Sequence, residues 1–142
     1  MLAGRHIVIL GGSSGIGFAV AEAAIAAGAR VRIGSTSAEK IEAALSRLGD
    51  AATGSVVDTA DETRLAAFFQ GSDAIDHLVY TAGDRLPRGL AIGPDFDLAA
   101  AQGAMGARFW GALLAVKHAL PYLTPTSSSP SSADARRDRR SG

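Results

Sequence analysis

The sequence predicts an α/β fold, a doubly wound parallel sheet in the strand order 3-2-1-4 with helices on both faces. Two observations carry the prediction. Short apolar runs alternate with longer stretches whose apolar residues recur at helical spacing, and such alternation specifies parallel strands joined by right-handed helical crossovers. The first strand-to-helix junction is glycine-rich, Gly11-Gly12-Ser13-Ser14-Gly15-Ile16-Gly17. In the predicted order it lies where the strand order reverses, the place where open α/β sheets hold ligands.

Strand one is His6–Leu10. Helix one runs from Gly15 to Ala27, with Ile16, Val20, Ala23 and Ala27 on one face, and Gly28 stops it. Strand two is Arg30–Gly34. Thr36 and Glu39 read as a capping box opening helix two, whose Ile41, Leu45 and Leu48 repeat at helical spacing before Gly49. Strand three is Thr53–Val57. A second capping box, Thr59 with Glu62, opens helix three, with Leu65, Phe68 and Phe69 inward and Gly71 at its end. Strand four is Ile75–Tyr80, apolar nearly throughout, as a strand buried on both faces should be. A loop from Thr81 to Pro94 carries Gly83, Pro87, Gly89 and Gly93. Asp97 then caps a long helix reaching Leu123.

Residues 1–123 therefore form one domain. Residues 124–142, rich in serine, proline and arginine and without a large apolar side chain, are expected to be a disordered tail. The 142 residues balance 14 Lys+Arg against 14 Asp+Glu, so nothing favours nucleic acid or an anionic membrane surface as partner. Without cysteine there are no disulfides or thiolate metal sites, and His6, His77 and His118 lack mutual ligand spacing, so no metal is expected. His6 and His77 read as surface residues, and Asp95 and Asp97 as loop and cap. No apolar run approaches the ~20 residues of a membrane span. The start of the chain has no signal-peptide layout, and the expected location is cytoplasmic.

A strand, a glycine turn and a helix form a cradle for phosphate. Bare backbone lets an anion approach N–H groups, and the helix N-terminus adds partial positive charge. Gly11 makes the turn, Gly15 leaves room where a pyrophosphate would approach, and Gly17 lets the helix lie close on the sheet. The spacing, G-x-x-x-G-x-G, is neither G-x-G-x-x-G nor a P-loop, and no lysine follows it.

With Asp58 after strand three, Tyr80-Thr81-Ala82-Gly83 after strand four and Arg108 to Leu123 on the last helix, residues 5–123 resemble the short-chain dehydrogenase/reductase family. The family motif is T-G-x-x-x-G-x-G, with Leu10 here in the threonine position. Tyr80 and Thr81 stand where the family has two asparagines, ahead of the matching Ala82 and Gly83. The resemblance implies a Rossmann-like fold and NAD(P)-dependent oxidoreductase chemistry. It also implies a dinucleotide site made of Gly11, Ser13, Ser14, Gly15, Ile16, Gly17, Ser35, Thr36, Asp58, Thr59, Ala82 and Gly83, with Asp58 at the adenine ring. The end of strand two, Gly34-Ser35-Thr36, has no acid to repel a 2′-phosphate and no arginine to grip one. The cofactor is NADP or NAD, leaning to NADP.

The family's chemistry uses a serine and a Tyr-x-x-x-Lys, and no such tetrapeptide spacing occurs here. Tyr80 is followed four residues on by Asp84, and Tyr122 by Thr126. Arg108 takes the position of a catalytic asparagine. The expectation is a truncated cofactor-binding part, inactive alone and without catalytic residues of its own. The alternatives are a non-catalytic nucleotide-binding module or a fragment without function. Self-association is expected through the 97–123 helix, which builds a dimer interface in the family, or through the strand-four edge.

Overall fold

Five consecutive apolar or half-apolar residues, His6–Leu10 (β1), are all buried, and the rest of the sheet is built outwards from them. In the computed structural model, which describes residues 1–83 and 90–125, β1 pairs in parallel with Arg30–Ser35 (β2) on one side and with His77–Tyr80 (β4) on the other. Ala52–Val56 (β3) adds to β2. The order is β3-β2-β1-β4, as the sequence predicts. Adjacent side chains on a strand point to opposite faces, so β1 feeds two cores. Ile7 and Ile9 pack with Phe18, Ala21, Val31, Ile33 and Ile41 beneath helices Gly15–Ala26 (α1) and Ala38–Leu48 (α2). Val8 and Leu10 pack with Val57, Leu65, Phe68, Phe69, Ala115 and Ala119 beneath Glu62–Phe69 (α3) and Gly111–Ala119 (α5).

Several expectations shift. The buried face of α1 is Gly17, Phe18, Ala21 and Ala24, whereas Ile16 is 75 % exposed. A helix this rich in alanine has apolar residues on every side, and its facing is set by which residue can touch the sheet, not by periodicity. Both capping boxes fail by a residue or two. The cap of α2 is Ser37, whose Oγ accepts from Lys40 N–H at 3.3 Å, and the cap of α3 is Asp61, accepting from Arg64 N–H at 3.2 Å. Thr59 is buried instead, and Glu62 bonds to Lys117 Nζ at 2.6 Å and His118 Nε2 at 3.1 Å, tying α3 to α5. His6 is buried rather than at the surface, its Nδ1 2.9 Å from the Ala74 carbonyl oxygen.

The last helix is capped by Asp97 as expected, at 3.1 Å from Ala100 N–H, but it is not uniform. Leu98–Met105 (α4) passes into a π-helical turn, Gly106–Trp110, before α5, and a short 3-10 turn, Leu120–Tyr122, ends it. Strand β4 is half-buried rather than buried on both faces. Ile75, ahead of it, pairs in parallel with Leu123. Pro87 and Gly89 of the predicted loop, and the predicted tail beyond Pro125, lie outside the described residues.

Asp76 fastens the amino end of this sheet. Its Oδ2 accepts from His6 N–H at 2.9 Å, and its Oδ1 takes Thr124 Oγ1 at 3.2 Å and Arg5 at 3.4 Å. The His6 N–H bond, aided by Thr124 and Arg5, holds its carboxyl below the usual range despite the opposing effect of burial. A lowered carboxyl pKa stabilises the fold above the unfolded value, about 3.9, and that contribution fades as pH falls through the folded value. Asp76→Asn is therefore expected to cost roughly 1–2 kcal/mol at pH 7, with the gap from wild type closing below about pH 4. Thermal unfolding followed by circular dichroism at both pH values checks it, and a gap independent of pH would contradict it.

Candidate functional site

At the carboxyl ends of the strands lies an open cleft of about 940 Å³. Its floor is the junction between β1 and α1. An added Cβ at Gly17 would fall on the Gly11 carbonyl oxygen and lie 2.6 Å from Thr81 Oγ1, so only glycine lets the first turn of α1 sit directly on the end of β1. Gly15 differs: its φ of +57° is left-handed, and nothing lies within 4 Å of where its Cβ would be. It is the open lip of the cleft.

The N-terminus of α1 directs its partial positive charge at the cleft. Ser14 is its N-cap, but the serine side chain makes no capping bond, and the first turn holds no acid. By contrast α2, α3 and α4 are capped by Ser37, Asp61 and Asp97. The first-turn N–H groups of α1 are left to whatever occupies the cleft. Beside them Ser13 Oγ donates to Ser35 Oγ at 2.9 Å, joining the glycine turn to the end of β2.

The twelve residues implied as a dinucleotide site all line this cleft: Gly11, Ser13, Ser14, Gly15, Ile16 and Gly17 from the turn, Ser35 and Thr36 at and after the end of β2, Asp58 and Thr59 after β3, Ala82 and Gly83 after β4. Asp58 Oδ1 accepts from Ala60 N–H at 2.9 Å, which fixes its loop. The sequence reading missed Lys40, Gly34, Val57, Ala60, Thr81, Gly103 and Gly106, which also line it. Lys40 had a signal: it lies one turn past Thr36, on the first turn of α2, facing the end of β2. Gly103 and Gly106 had none, because the π turn that places them cannot be read from spacing.

The far wall depends on Tyr80. Its hydroxyl donates to Thr59 Oγ1 at 3.1 Å, and burial pushes its pKa up. A Cβ at Gly111 would strike that same hydroxyl and come within 3.2 Å of the Thr59 carbonyl oxygen. Tyr80 thus locks the loop carrying Asp58 to β4 while α5 presses against it. Arg108, on the π turn, lies over Gly83, its guanidinium carbon 3.2 Å from where a Cβ would be. Arg108 therefore borders the end of the cleft away from Ser35. Among the described residues no cluster of His, Asp or Glu is arranged to hold a metal ion, and no helix is long and apolar enough to cross a membrane.

The family pattern described as short chain dehydrogenase matches residues 5–131. The short-chain dehydrogenase/reductase fsr5 of Gibberella fujikuroi is 36% identical over 90% of this chain and 53% of its own. The short-chain dehydrogenase/reductase ucsE of an Acremonium species is also 36% identical, over 88% and 53%. The chain thus spans about half the length of the curated relatives it matches. Among solved structures, the Pseudomonas aeruginosa RhlG/NADP active-site complex superposes with a TM-score of 0.78 at 29% identity, covering 91% of this chain and 52% of that one. The MalC reductase/Diels-Alderase of Malbranchea aurantiaca gives 0.73 at 30% identity, covering 87% and 52%.

The Tyr80–Gly111 contact supplies a test of the wall. Gly111→Ala is expected to destabilise the fold by about 1–3 kcal/mol through overpacking, and Tyr80→Phe by about 1 kcal/mol through the lost hydrogen bond. The double variant is expected to be less destabilised than the two effects added, because removing the hydroxyl makes room for the methyl. Urea unfolding of the four proteins measures this, and simple additivity would show that the hydroxyl does not fill that space.

Proposed function

The chain belongs to the short-chain dehydrogenase family, and from that premise we propose that it is the dinucleotide-binding part of an NADP(H)-dependent oxidoreductase. The observation that carries the reading is the uncapped N-terminus of α1 behind the bare lip at Gly15. A pyrophosphate there would take the first-turn N–H groups that no side chain satisfies. The residues from Gly11 to Gly17 would cradle it, Ser35 and Thr36 would meet the adenosine ribose, Asp58 and Thr59 the adenine, and Ala82 and Gly83 the ribose of the nicotinamide half. When bound, the cofactor supplies hydride chemistry; these residues bind and orient it.

The preference for NADP rests on charge. The end of β2 offers hydroxyls and no carboxylate, and Lys40 is the cation lining the cleft beside them. A 2′-phosphate would meet that ammonium without repulsion. For the 142 residues alone, binding without turnover is part of the proposal: no Tyr-x-x-x-Lys is present to move a proton, and such a group typically contributes ~10²–10⁴-fold. A non-catalytic nucleotide-binding module is the second reading, favoured by that same absence. Residues 1–123 as the binding unit, 124–142 as an appended tail, and a cytoplasmic site of action belong to the same reading.

Fluorescence titration with NADPH and NADH is the deciding experiment. Wild type is expected to prefer NADPH. Lys40→Met should weaken NADPH about tenfold, as loss of one charge-assisted contact implies, and leave NADH nearly unchanged. Gly15→Val should abolish both by occupying the pyrophosphate's approach, with circular dichroism confirming the fold. Addition of carbonyl compounds to these samples should oxidise no NADPH. Equal affinities in wild type and both variants would defeat the reading.

Self-association is also proposed. Phe109, Trp110, Leu113, Val116 and Leu120 are each 45–60 % exposed along the π turn, α5 and its end, a contiguous apolar stripe of the kind that marks an interface. Leu123 pairs with Ile75 at the start of the sheet's β4 edge, and the outer side of β4, His77–Tyr80, is the alternative contact. Val79 packs towards the α1–α2 core, so a charge there tests stability. Leu113→Glu on the exposed stripe tests association. Sedimentation across a concentration series is expected to show wild type associating and Leu113→Glu shifted to monomer, and a monomeric wild type would contradict the stripe's role.

A further inference from the structure

A second hollow, of about 420 Å³, opens at the amino ends of the strands, roughly one strand length, ~16 Å, from the cleft floor. Two arginines of β2 line it, Arg30 and Arg32. They are two residues apart and so project from the same face of the strand. Arg32 is unusual for its place. It lies on an interior strand, opposite Val8 of β1 and Thr53 of β3, and it is half-buried. Its guanidinium lies flat on the Phe68 ring, 3.8 Å from the centroid. Among the described residues no carboxylate, carbonyl or hydroxyl accepts from its N–H groups. Its π face is taken by Phe68, and its donor edge, with no protein acceptor among the described residues, opens to solvent in the hollow. Partial burial pushes its pKa below the ordinary arginine value.

The rest of the hollow does not supply that counter-ion. Asp73 reaches only Arg30, at 3.9 Å, and its side chain is 79 % exposed. Asp50 stands at the rim, exposed. His6 lines the wall with its Nδ1 engaged by the Ala74 carbonyl. Gln70 and Ser72 add neutral polar groups. Two guanidinia on one strand face suit a planar-donor grip on a dianion. The volume falls at the lower end of small-molecule sites, ~300–1,000 Å³, and exceeds what a bare phosphate fills.

We propose that this hollow is an anion site, distinct from the dinucleotide cleft, where Arg32 and Arg30 together hold the phosphate of a small phosphorylated metabolite. Arg32 supplies the buried contact and Arg30 the one at the mouth. Asp73 competes for Arg30 and is displaced when the anion enters.

Inorganic phosphate, titrated into the full ¹⁵N-labelled chain at constant ionic strength set with sodium chloride, tests it. Amide shifts at Arg32, Thr53, Gly71 and Ser72 are expected to saturate with a Kd of about 1 mM. Arg32→Met keeps an apolar stem over Phe68 and should weaken binding at least about tenfold. Asp73→Asn should tighten it about threefold by removing the competitor. Should Arg32→Met fail to fold, Arg30→Gln at the exposed position takes its place, with a loss of about threefold expected. Shifts confined to Gly11–Gly17, shifts that never saturate, or an affinity unchanged by the arginine substitution would each overturn the proposal. None of these outcomes depends on which dinucleotide the main cleft takes.

Discussion

The seating of α1 on the end of β1 is the contact on which the rest depends. Gly17 touches the Gly11 carbonyl at a distance no Cβ would permit, and three consequences follow. The helix axis is aimed at the cleft, so its partial positive charge is used there. The backbone leaving β1 turns over Thr81, whose Oγ1 bonds the carbonyls of Leu10 and Gly11 at 3.3 Å, so the loop after β4 is tied to the same point. Gly12 sits under Ile33, with its would-be Cβ 2.5 Å from Ile33 Cγ2, so β2 closes on the turn from the other side. A single methyl at any of these glycines would pry apart strands β1, β2 and β4 where they converge on the cleft.

That constraint also explains what was legible in the sequence and what was not. The strand order and the glycine turn could be read because glycine spacing and buried apolar runs report backbone geometry directly, while Asp58, Thr59, Ala82 and Gly83 came from the family resemblance. The facing of α1 could not, because alanine at most positions leaves the 3.6-residue period without contrast, and the close approach at Gly17 settles the rotation. The capping boxes were misread for a related reason. Thr36 and Thr59 have the right partners three residues on, but each faces the cleft or the core, and the neighbouring Ser37 and Asp61 are the residues free to turn back on the helix. Polar residues at these strand ends answer to the site before they answer to the helix.

The π turn at Gly106–Trp110 is a second place where local rules yield. Gly103 and Gly106 weaken the helix between α4 and α5, and an extra residue in the turn brings both bare positions to the cleft while Arg108 lies over Gly83. π turns cost regular hydrogen bonding and cluster at functional sites. Here the shift in register has a packing result as well. It sets Gly111 against the Tyr80 hydroxyl, so α5 reaches the core through Ala115 and Ala119 while its opposite face keeps the large apolar residues outward.

Phe68 connects the two ends of the sheet. One edge of its ring lies 3.3 Å from where a Cβ at Gly34 would stand, and its face carries Arg32. Gly34 and Arg32 are two residues apart on one face of β2, with Gly34 at the cleft and Arg32 at the opposite hollow. The absence of a side chain at Gly34 lets α3 sink onto the strand. That brings the aromatic face within reach of the guanidinium, and it places Asp58, on the loop ahead of α3, on the wall of the cleft. An arginine left half-buried without a counter-ion would be a poor choice for stability alone, since an apolar residue of similar length would cover Phe68 without the desolvation cost. An anion entering the hollow, as proposed, would take the donor edge that Phe68 leaves open.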